Sequence, residues 1–262
     1  MADDEKLLVW LLLLGSSSLC FCSELDVQCL KSLRRSLVDP NGILASSWNF
    51  SPSIDGFDPP GYICKFTGVE CWHLDENRVF SLHLGNLGLE GTFPQGLENC
   101  KTMVGLDLSS NSFSGPIPSD IWRQVPYLIS LDLSYNSFSG PIPVNITQMT
   151  YLNTLKLEHN QLSGEIPWEF NRLFRLTSFN VAGNLLSGPI PILLQKFWPS
   201  SFAGNEGLCG APLLNNCPRL HRINKESIIG AAVGFVVGFV VAFYFPQWFV
   251  FSRRLHPYIF RI

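Results

Sequence analysis

The sequence predicts a short right-handed α/β solenoid. Three observations carry that prediction: a tandem repeat of about 24 residues, two-residue apolar alternation at one point of every repeat, and cysteine-bearing lids at both ends. The repeat is plain when QGLENCKTMVGLDLSSNSFSGPIP (95–118) is set above SDIWRQVPYLISLDLSYNSFSGPIP (119–143). VNITQMTYLNTLKLEHNQLSGEIP (144–167) and WEFNRLFRLTSFNVAGNLLSGPIP (168–191) continue it, and each unit ends in SGxIP. A worn first unit, RVFSLHLGNLGLEGTFP, ends at Pro94, giving five repeats over 79–191.

Each recurring residue has a physical role. Leu106/Leu108, Leu131/Leu133, Leu155/Leu157 and Phe179/Val181 alternate with polar residues, which marks short strands with one side turned inward. Met103, Leu128, Leu152 and Leu176 add a second buried column. Phe113, Phe138, Leu162 and Leu186, with Ile117, Ile142, Ile166 and Ile190, close the remaining walls. Asn111, Asn136, Asn160 and Asn184 are expected to turn inward and satisfy backbone groups freed by the turn. The first unit has Leu87 there, so the asparagine ladder should begin at the second repeat. In SGxIP the glycine permits a tight bend and the proline fixes φ. One coil cannot bury its apolar side alone; stacked coils share a core.

The lids follow. Residues 23–78 form the N-terminal lid: Cys29, Leu30, Leu33 and Leu37 recur at helical spacing, Pro40-Asn41-Gly42 stops the helix, and Trp48 and CKFTGVEC follow. Residues 192–217 form the C-terminal lid, with SFAGNEGLCGAPLLNNC. Eight cysteines fit an oxidising compartment. The short spacings predict Cys64–Cys71 and Cys209–Cys217 disulfides; zinc is disfavoured because no histidine stands at ligand spacing. Cys100 sits where repeats bury a small apolar residue, and the expectation is an unpaired buried thiol there rather than a bond to Cys29.

Targeting segments flank the solenoid. Leu7–Gly15 is apolar but too short to span a bilayer, and small residues with Cys20-Phe21-Cys22 precede Ser23; residues 1–22 read as a signal peptide. Asp3, Asp4 and Glu5 beside Lys6 depart from the usual basic start. Residues 228–251 hold no charge and are long enough to cross a membrane, with Arg253 and Arg254 directly after. A linker, 218–227, precedes that helix, and 252–262 is a cytosolic tail. The implied location is the plasma membrane, single-pass, with the N-terminal part outside. Gly230, Gly234 and Gly238 repeat every four residues and offer a smooth face for helix packing.

Function classes narrow quickly. Charged residues make up 15% and the net charge is −3, with no basic stripe for nucleic acid. Asp107 and Asp132 lie one repeat apart, but on an open face without a pocket, and the five histidines have no metal spacing or nucleophile beside them. No enzyme, cofactor or small-molecule substrate is expected. The solvent-facing strand positions form a column, His83, Asp107, Asp132, Lys156 and Asn180. Beside it run Glu158 and, one position on, Tyr135 and His159. Small polar residues punctuated by an aromatic and a few charges suit a shallow protein-binding face. The sequons at Asn49 and Asn145 mark glycan acceptors on a secreted chain.

The LxxLxLxxNxLSGxIP repeat, the helix–Trp–Cys lid and the GLCG…C lid resemble plant leucine-rich-repeat receptor-like kinases. GYICKFTGVECWHLDENRV (61–79) and GLCGAPLLNNC (207–217) look most like the BIR group within them. The resemblance covers about 24–254 and implies a five-repeat leucine-rich-repeat ectodomain of plant type. It also implies partners among SERK-type co-receptors or other receptor-kinase ectodomains, and a role in restraining immune or growth signalling. After Arg254 only LHPYIFRI remains, without a Gly-rich loop, HRD or DFG, so kinase-dependent functions are not carried over. A natural kinase-less receptor-like protein, a truncated receptor kinase and a shortened paralogue all stay open. An inhibitor or cell-wall sensor of the polygalacturonase-inhibitor type is the alternative; those proteins share the repeat but are soluble.

Overall fold

The structure, a computed structural model, describes residues 24–50 and 59–217. The signal-peptide and membrane-helix expectations, with Gly230, Gly234 and Gly238, lie outside these residues. No helix among the described residues is long and apolar enough to cross a membrane.

Two parallel sheets run the length of the stack. The first is made of β1 (Val69–Cys71), β2 (Val79–His83), β4 (Gly105–Asp107), β6 (Ser130–Asp132), β8 (Thr154–Lys156) and β10 (Ser178–Asn180). Its order is β1-β2-β4-β6-β8-β10, parallel except for β1, which pairs antiparallel with β2. Register is strict: Leu82, Leu106, Leu131, Leu155 and Phe179 stand side by side, all turned into the core. The alternate positions lie on the other face, as period-two alternation requires: His83 is exposed and Asp107, Asp132, Lys156 and Asn180 are half-buried, while Ser81 and Gly105 are buried.

The second sheet is a finding the sequence reading did not contain. The SGxIP stretch, read there as a bend, also pairs: β3 (Glu90–Gly91), β5 (Ser112–Pro116), β7 (Ser137–Pro141), β9 (Gln161–Glu165), β11 (Leu185–Pro189) and β12 (Gly207–Cys209) form a six-stranded sheet. Bend and strand coexist because Gly115, Gly140, Gly164 and Gly188 all take φ near +80°, a conformation an L side chain rarely adopts. The coil therefore has two hydrogen-bonded walls, closed on the third side by short 3₁₀ turns such as Val144–Gln148 and Trp168–Arg172.

The core is one continuous cluster from lid to lid. Phe113 and Phe138 stack at 6.1 Å between coils, and Met103, Leu128, Leu152 and Leu176 are buried as expected. The asparagine ladder forms and starts at the second repeat. The Asn136 amide donates to the carbonyls of Leu108 and Leu133 and its oxygen accepts from Phe113 N–H at 3.0 Å. Asn111, Asn160 and Asn184 repeat the pattern. It extends one rung further than expected: Asn205 in the C-terminal lid accepts from Leu186 N–H at 3.0 Å and donates to Val181 and Phe202.

At the N-terminal end, a helix over 24–36 (α1) buries Val27, Cys29, Leu30 and Leu33. Trp48 is fully buried, its indole N–H bonded to Thr67 O at 2.9 Å and its ring stacked on Phe66. Cys64–Cys71 and Cys209–Cys217 are bonded. The expectation of a free Cys100 is corrected: Cys29 and Cys100 form a disulfide with Cα atoms 5.5 Å apart. The reason is positional. The inward face of α1 covers the open end of the first coils, so its buried column meets the buried column that Cys100 occupies. A separation of 71 residues hid that meeting from spacing arguments. Asp26, also on α1, is buried and accepts from Val79 N–H at 3.1 Å, tying the lid to the first residue of β2. Burial pushes its pKa from 3.8 up to about 7, the Val79 bond and the Arg78 charge offsetting only part of the desolvation.

Candidate protein-binding surface

The strand register delivers the column that the sequence reading singled out. His83, Asp107, Asp132, Lys156 and Asn180 are successive partners across the first sheet. Strands in such a sheet lie about 4.8 Å apart, so neighbouring side chains on one face can touch. What they do differs along the column.

In the middle, Lys156 Nζ lies 3.0 Å from Asp132 Oδ2. The other carboxylate oxygen of Asp132 accepts from the Ser134 N–H and hydroxyl, at 3.0 and 2.6 Å. The bond to Asp132 raises the Lys156 pKa, so this lysine is a fixed cation. Glu158 stands on the same coil as Lys156. Its Oε2 is buried without a hydrogen-bond partner, and burial raises its pKa. Towards either end the column is quieter. Asp107 and Asn180 fold back on their own turns, accepting from Ser109 and Ala182 N–H. His83 pairs with Glu70 of β1 at 3.1 Å.

One position beyond, the backbone carries a mark the sequence did not show. Asn86, Ser110, Tyr135 and His159 all have positive φ, between 54° and 56°, and Gly183 follows at 64°. Left-handed backbone costs an L residue on the order of 1 kcal/mol, so asparagine or glycine would be the ordinary occupant. Two consecutive coils instead hold bulky rings there. Tyr135 and His159 stack at 4.5 Å with planes 23° apart, and Tyr135 is more than half exposed. On its far side the His159 ring meets Gly183, where an added Cβ would come within 2.7 Å of Nδ1. The two rings sit on the coils of the Asp132–Lys156 pair. The structure thus brings Asp132, Tyr135, Lys156, Glu158 and His159 into one patch over β6 and β8, with His83, Asp107 and Asn180 outlying.

Other predicted sites are placed separately. Asn145 lies on the 3₁₀ side of the coil, its Nδ2 bonded to Ser119 O at 3.1 Å, and Asn49 is exposed in the N-terminal lid. Glu70 and Asn205 were missed. Asn205 had a legible signal, since Ala203-Gly204-Asn205 repeats Ala182-Gly183-Asn184. Glu70 had none, because its pairing follows from the antiparallel turn of β1.

A two-sheet coil closed by an inward asparagine ladder and capped by disulfide lids is a leucine-rich-repeat ectodomain. The comparisons agree. The Leucine rich repeat N-terminal domain family matches residues 23–72, and the Leucine Rich Repeat family matches 103–123, 127–149 and 151–173. The inactive LRR receptor-like serine/threonine-protein kinase BIR2 of Arabidopsis thaliana is 52% identical over 223 residues, 82% of this chain and 36% of that protein. Among solved structures, the Arabidopsis BIR2 ectodomain is 44% identical with a TM-score of 0.70, covering 73% of this chain and 98% of that one. A chain of the Arabidopsis BIR3–SERK2 complex is 46% identical with a TM-score of 0.67 and the same coverage. The chain belongs to the BIR group of leucine-rich-repeat receptor-like kinases. It spans about a third of the length of the curated relatives it matches.

Proposed function

We propose that this chain is a membrane-anchored receptor-like protein that binds the ectodomains of SERK-type co-receptors or other receptor kinases and restrains their signalling. The likeness to a chain of the BIR3–SERK2 complex supports this reading most directly. The patch of Asp132, Tyr135, Lys156, Glu158 and His159 supports it chemically. It offers a fixed cation and a stacked ring pair on a rigid sheet. The protein acts by occupancy rather than catalysis: a co-receptor surface it covers is closed to ligand-bound receptors. His83, Asp107 and Asn180 form the outer contacts of the same face.

Residues 1–22 serve as the export signal, 228–251 as the membrane anchor, and Gly230, Gly234 and Gly238 as its packing face. Glycans on Asn49 and Asn145 keep the lid and the 3₁₀ side clear of partners, leaving the sheet face open. The test is competition at the cell surface. Co-expressing the full chain with a SERK-type co-receptor and a ligand-responsive receptor kinase should co-precipitate chain with co-receptor. It should also lower the ligand-induced receptor–co-receptor complex. Unchanged complex formation at high expression of the chain refutes the restraining role.

A further inference from the structure

The last two coils carry an apolar surface on their 3₁₀ side that the sheet-face patch does not use. Their turns, Trp168–Arg172 and Ile192–Lys196, are joined by Asn171, whose side-chain oxygen accepts from Leu193 N–H at 2.9 Å. At the repeat spacing, Trp168 is equivalent to Ile192, Phe174 to Trp198 and Arg172 to Lys196. Trp168, Phe174, Ile192 and Trp198 are 63%, 78%, 78% and 81% exposed, and Leu214 of the C-terminal lid is wholly exposed. Earlier coils fill these points with polar residues: Gln95 and Ser119 open their repeats as Trp168 opens its own, and Lys101 and Thr150 stand where Phe174 does. The stack closes without apolar side chains there.

The surface runs on into the C-terminal lid. Trp198 leads into the turn Pro199–Phe202, and Pro199 and Leu214 line one open cleft. Cations border the rings. The Arg172 guanidinium lies 5.4 Å from the Trp168 ring centroid. Lys196 Nζ lies 5.1 Å from that of Phe197 and donates to Leu176 O at 2.6 Å. Tryptophan and aliphatic side chains mixed with arginine and lysine suit the headgroup level of a bilayer, where rings are buried and cations stay hydrated. The sequon at Asn145 stands one coil earlier, beside Val144, so a glycan there borders this surface rather than covering it.

Charge is segregated along the chain in the same sense. Between residues 24 and 167 there are eight basic and fifteen acidic side chains; between 168 and 227 there are six and three. An anionic surface thus attracts the C-terminal end of the stack and repels the rest. The path of the chain agrees. By sequence, ten residues, 218–227, separate Cys217 from the charge-free stretch 228–251, and ten residues reach about 35 Å at most. Arg219, Arg222 and Lys225 lie on that tether. With 228–251 as the anchor, contact between the last coils and the bilayer becomes an intramolecular step, which a short tether favours.

We propose that Trp168, Phe174, Ile192, Trp198 and Leu214, bordered by Arg172 and Lys196, form a surface that docks on the lipid headgroup layer beside the anchor. The proposal rests on the membrane-anchor reading above and deepens it. The apolar side chains supply the affinity, and the charge segregation selects which end of the stack goes down. A docked stack no longer swings about its tether, so the sheet face is offered to neighbouring ectodomains at less cost in orientational freedom.

Tryptophan quenching of the full chain in phosphatidylcholine vesicles tests it, with Trp10→Phe and Trp248→Phe introduced so that only ectodomain tryptophans report. Lipid brominated near the headgroup should quench emission, and Trp168→Phe/Trp198→Phe should remove the quenched part. Phe174→Ser/Ile192→Ser keeps both reporters and should abolish the quenching, because the burial that drives docking is lost. Replacing part of the lipid by phosphatidylglycerol should raise quenching. Arg172→Gln/Lys196→Gln should cancel most of that gain, each cation changing the docked-to-free ratio about fivefold on an anionic surface. The substituted ectodomain positions are exposed, and unchanged melting temperatures exclude misfolding. A chain that floats with the vesicles while Trp168 and Trp198 stay unquenched overturns the docking surface and leaves the anchor standing. A chain that does not float overturns both. Capture on immobilised polygalacturonate, lost in Phe174→Ser/Ile192→Ser and without quenching in vesicles, reassigns the surface to a polyanionic polysaccharide and overturns the proposal.

Discussion

The two lids of the stack solve one problem by different means. The C-terminal lid is a worn repeat: β12 extends the second sheet in parallel, and Asn205 adds a rung to the ladder at the spacing of Asn184. Its disulfide closes a loop of only eight residues. The N-terminal lid is a separate object. It meets the repeats through an antiparallel strand, through a helix, through a buried carboxyl on Val79, and through a disulfide spanning 71 residues. A continuing repeat inherits its hydrogen bonds from the coil before it. A lid of another shape must be fastened.

That difference orders the expected effects of mutation. Removing the long-range fastener should cost most. Cys29→Ser with Cys100→Ser frees a loop whose closure entropy is about 4 kcal/mol, against about 2.5 kcal/mol for the loop closed by Cys209 and Cys217. Thermal melts should show the first double variant losing about 10 °C and the second clearly less. Equal losses would mean the N-terminal lid holds without its crosslink.

Next come the rungs. Asn136→Ala strands buried donors and acceptors on two coils and should cost about 2–3 kcal/mol in denaturant unfolding. If the C-terminal lid is a repeat in the energetic sense, Asn205→Ala should cost about the same, because it strands the same kinds of group. A near-neutral Asn205→Ala would show that resemblance to be geometric only.

The buried carboxyl makes the N-terminal lid sensitive to pH. Because the folded pKa of Asp26 lies near 7, above its ordinary 3.8, the folded lid binds the proton more tightly than the unfolded chain does. Its contribution is fully present below about pH 4 and is lost as pH rises through 7. Melting temperature should therefore fall between pH 5 and pH 8 by a few degrees at order of magnitude, and Asp26→Asn should flatten that slope. A parallel slope in Asp26→Asn would assign the dependence to other groups.

The smallest stability effect is expected in the middle of the sheet. Tyr135→Gly gives up a ring stack but relieves a left-handed backbone, and the two terms, each about 1 kcal/mol, should nearly cancel. A loss above about 2 kcal/mol would make the stack a structural element rather than a recognition surface.

How much of this was legible depends on whether a feature repeats. The strand register, the leucine columns and the ladder from Asn111 to Asn184 follow from the 24-residue period, and so does the column from His83 to Asn180. Even Asn205 stood in a repeat-equivalent position. The second sheet was masked by its own glycines, which signal a bend whether or not the flanking residues pair. The Cys29–Cys100 bond, the Asp26–Val79 contact and the Glu70–His83 pair join the lid to the stack once each. A contact made once leaves no period to read. The left-handed backbone at Tyr135 and His159 was hidden for a further reason, since bulky side chains conceal a conformation that glycine at Gly183 advertises.

The account turns on the solvent side of β6 and β8 recognising another ectodomain. Calorimetric titration of the SERK2 ectodomain into the full chain, alongside Tyr135→Ala/His159→Ala, measures this directly. Saturable binding that the double variant weakens about tenfold, with its melting temperature unchanged, is the predicted result. Binding of equal strength in chain and variant would contradict it.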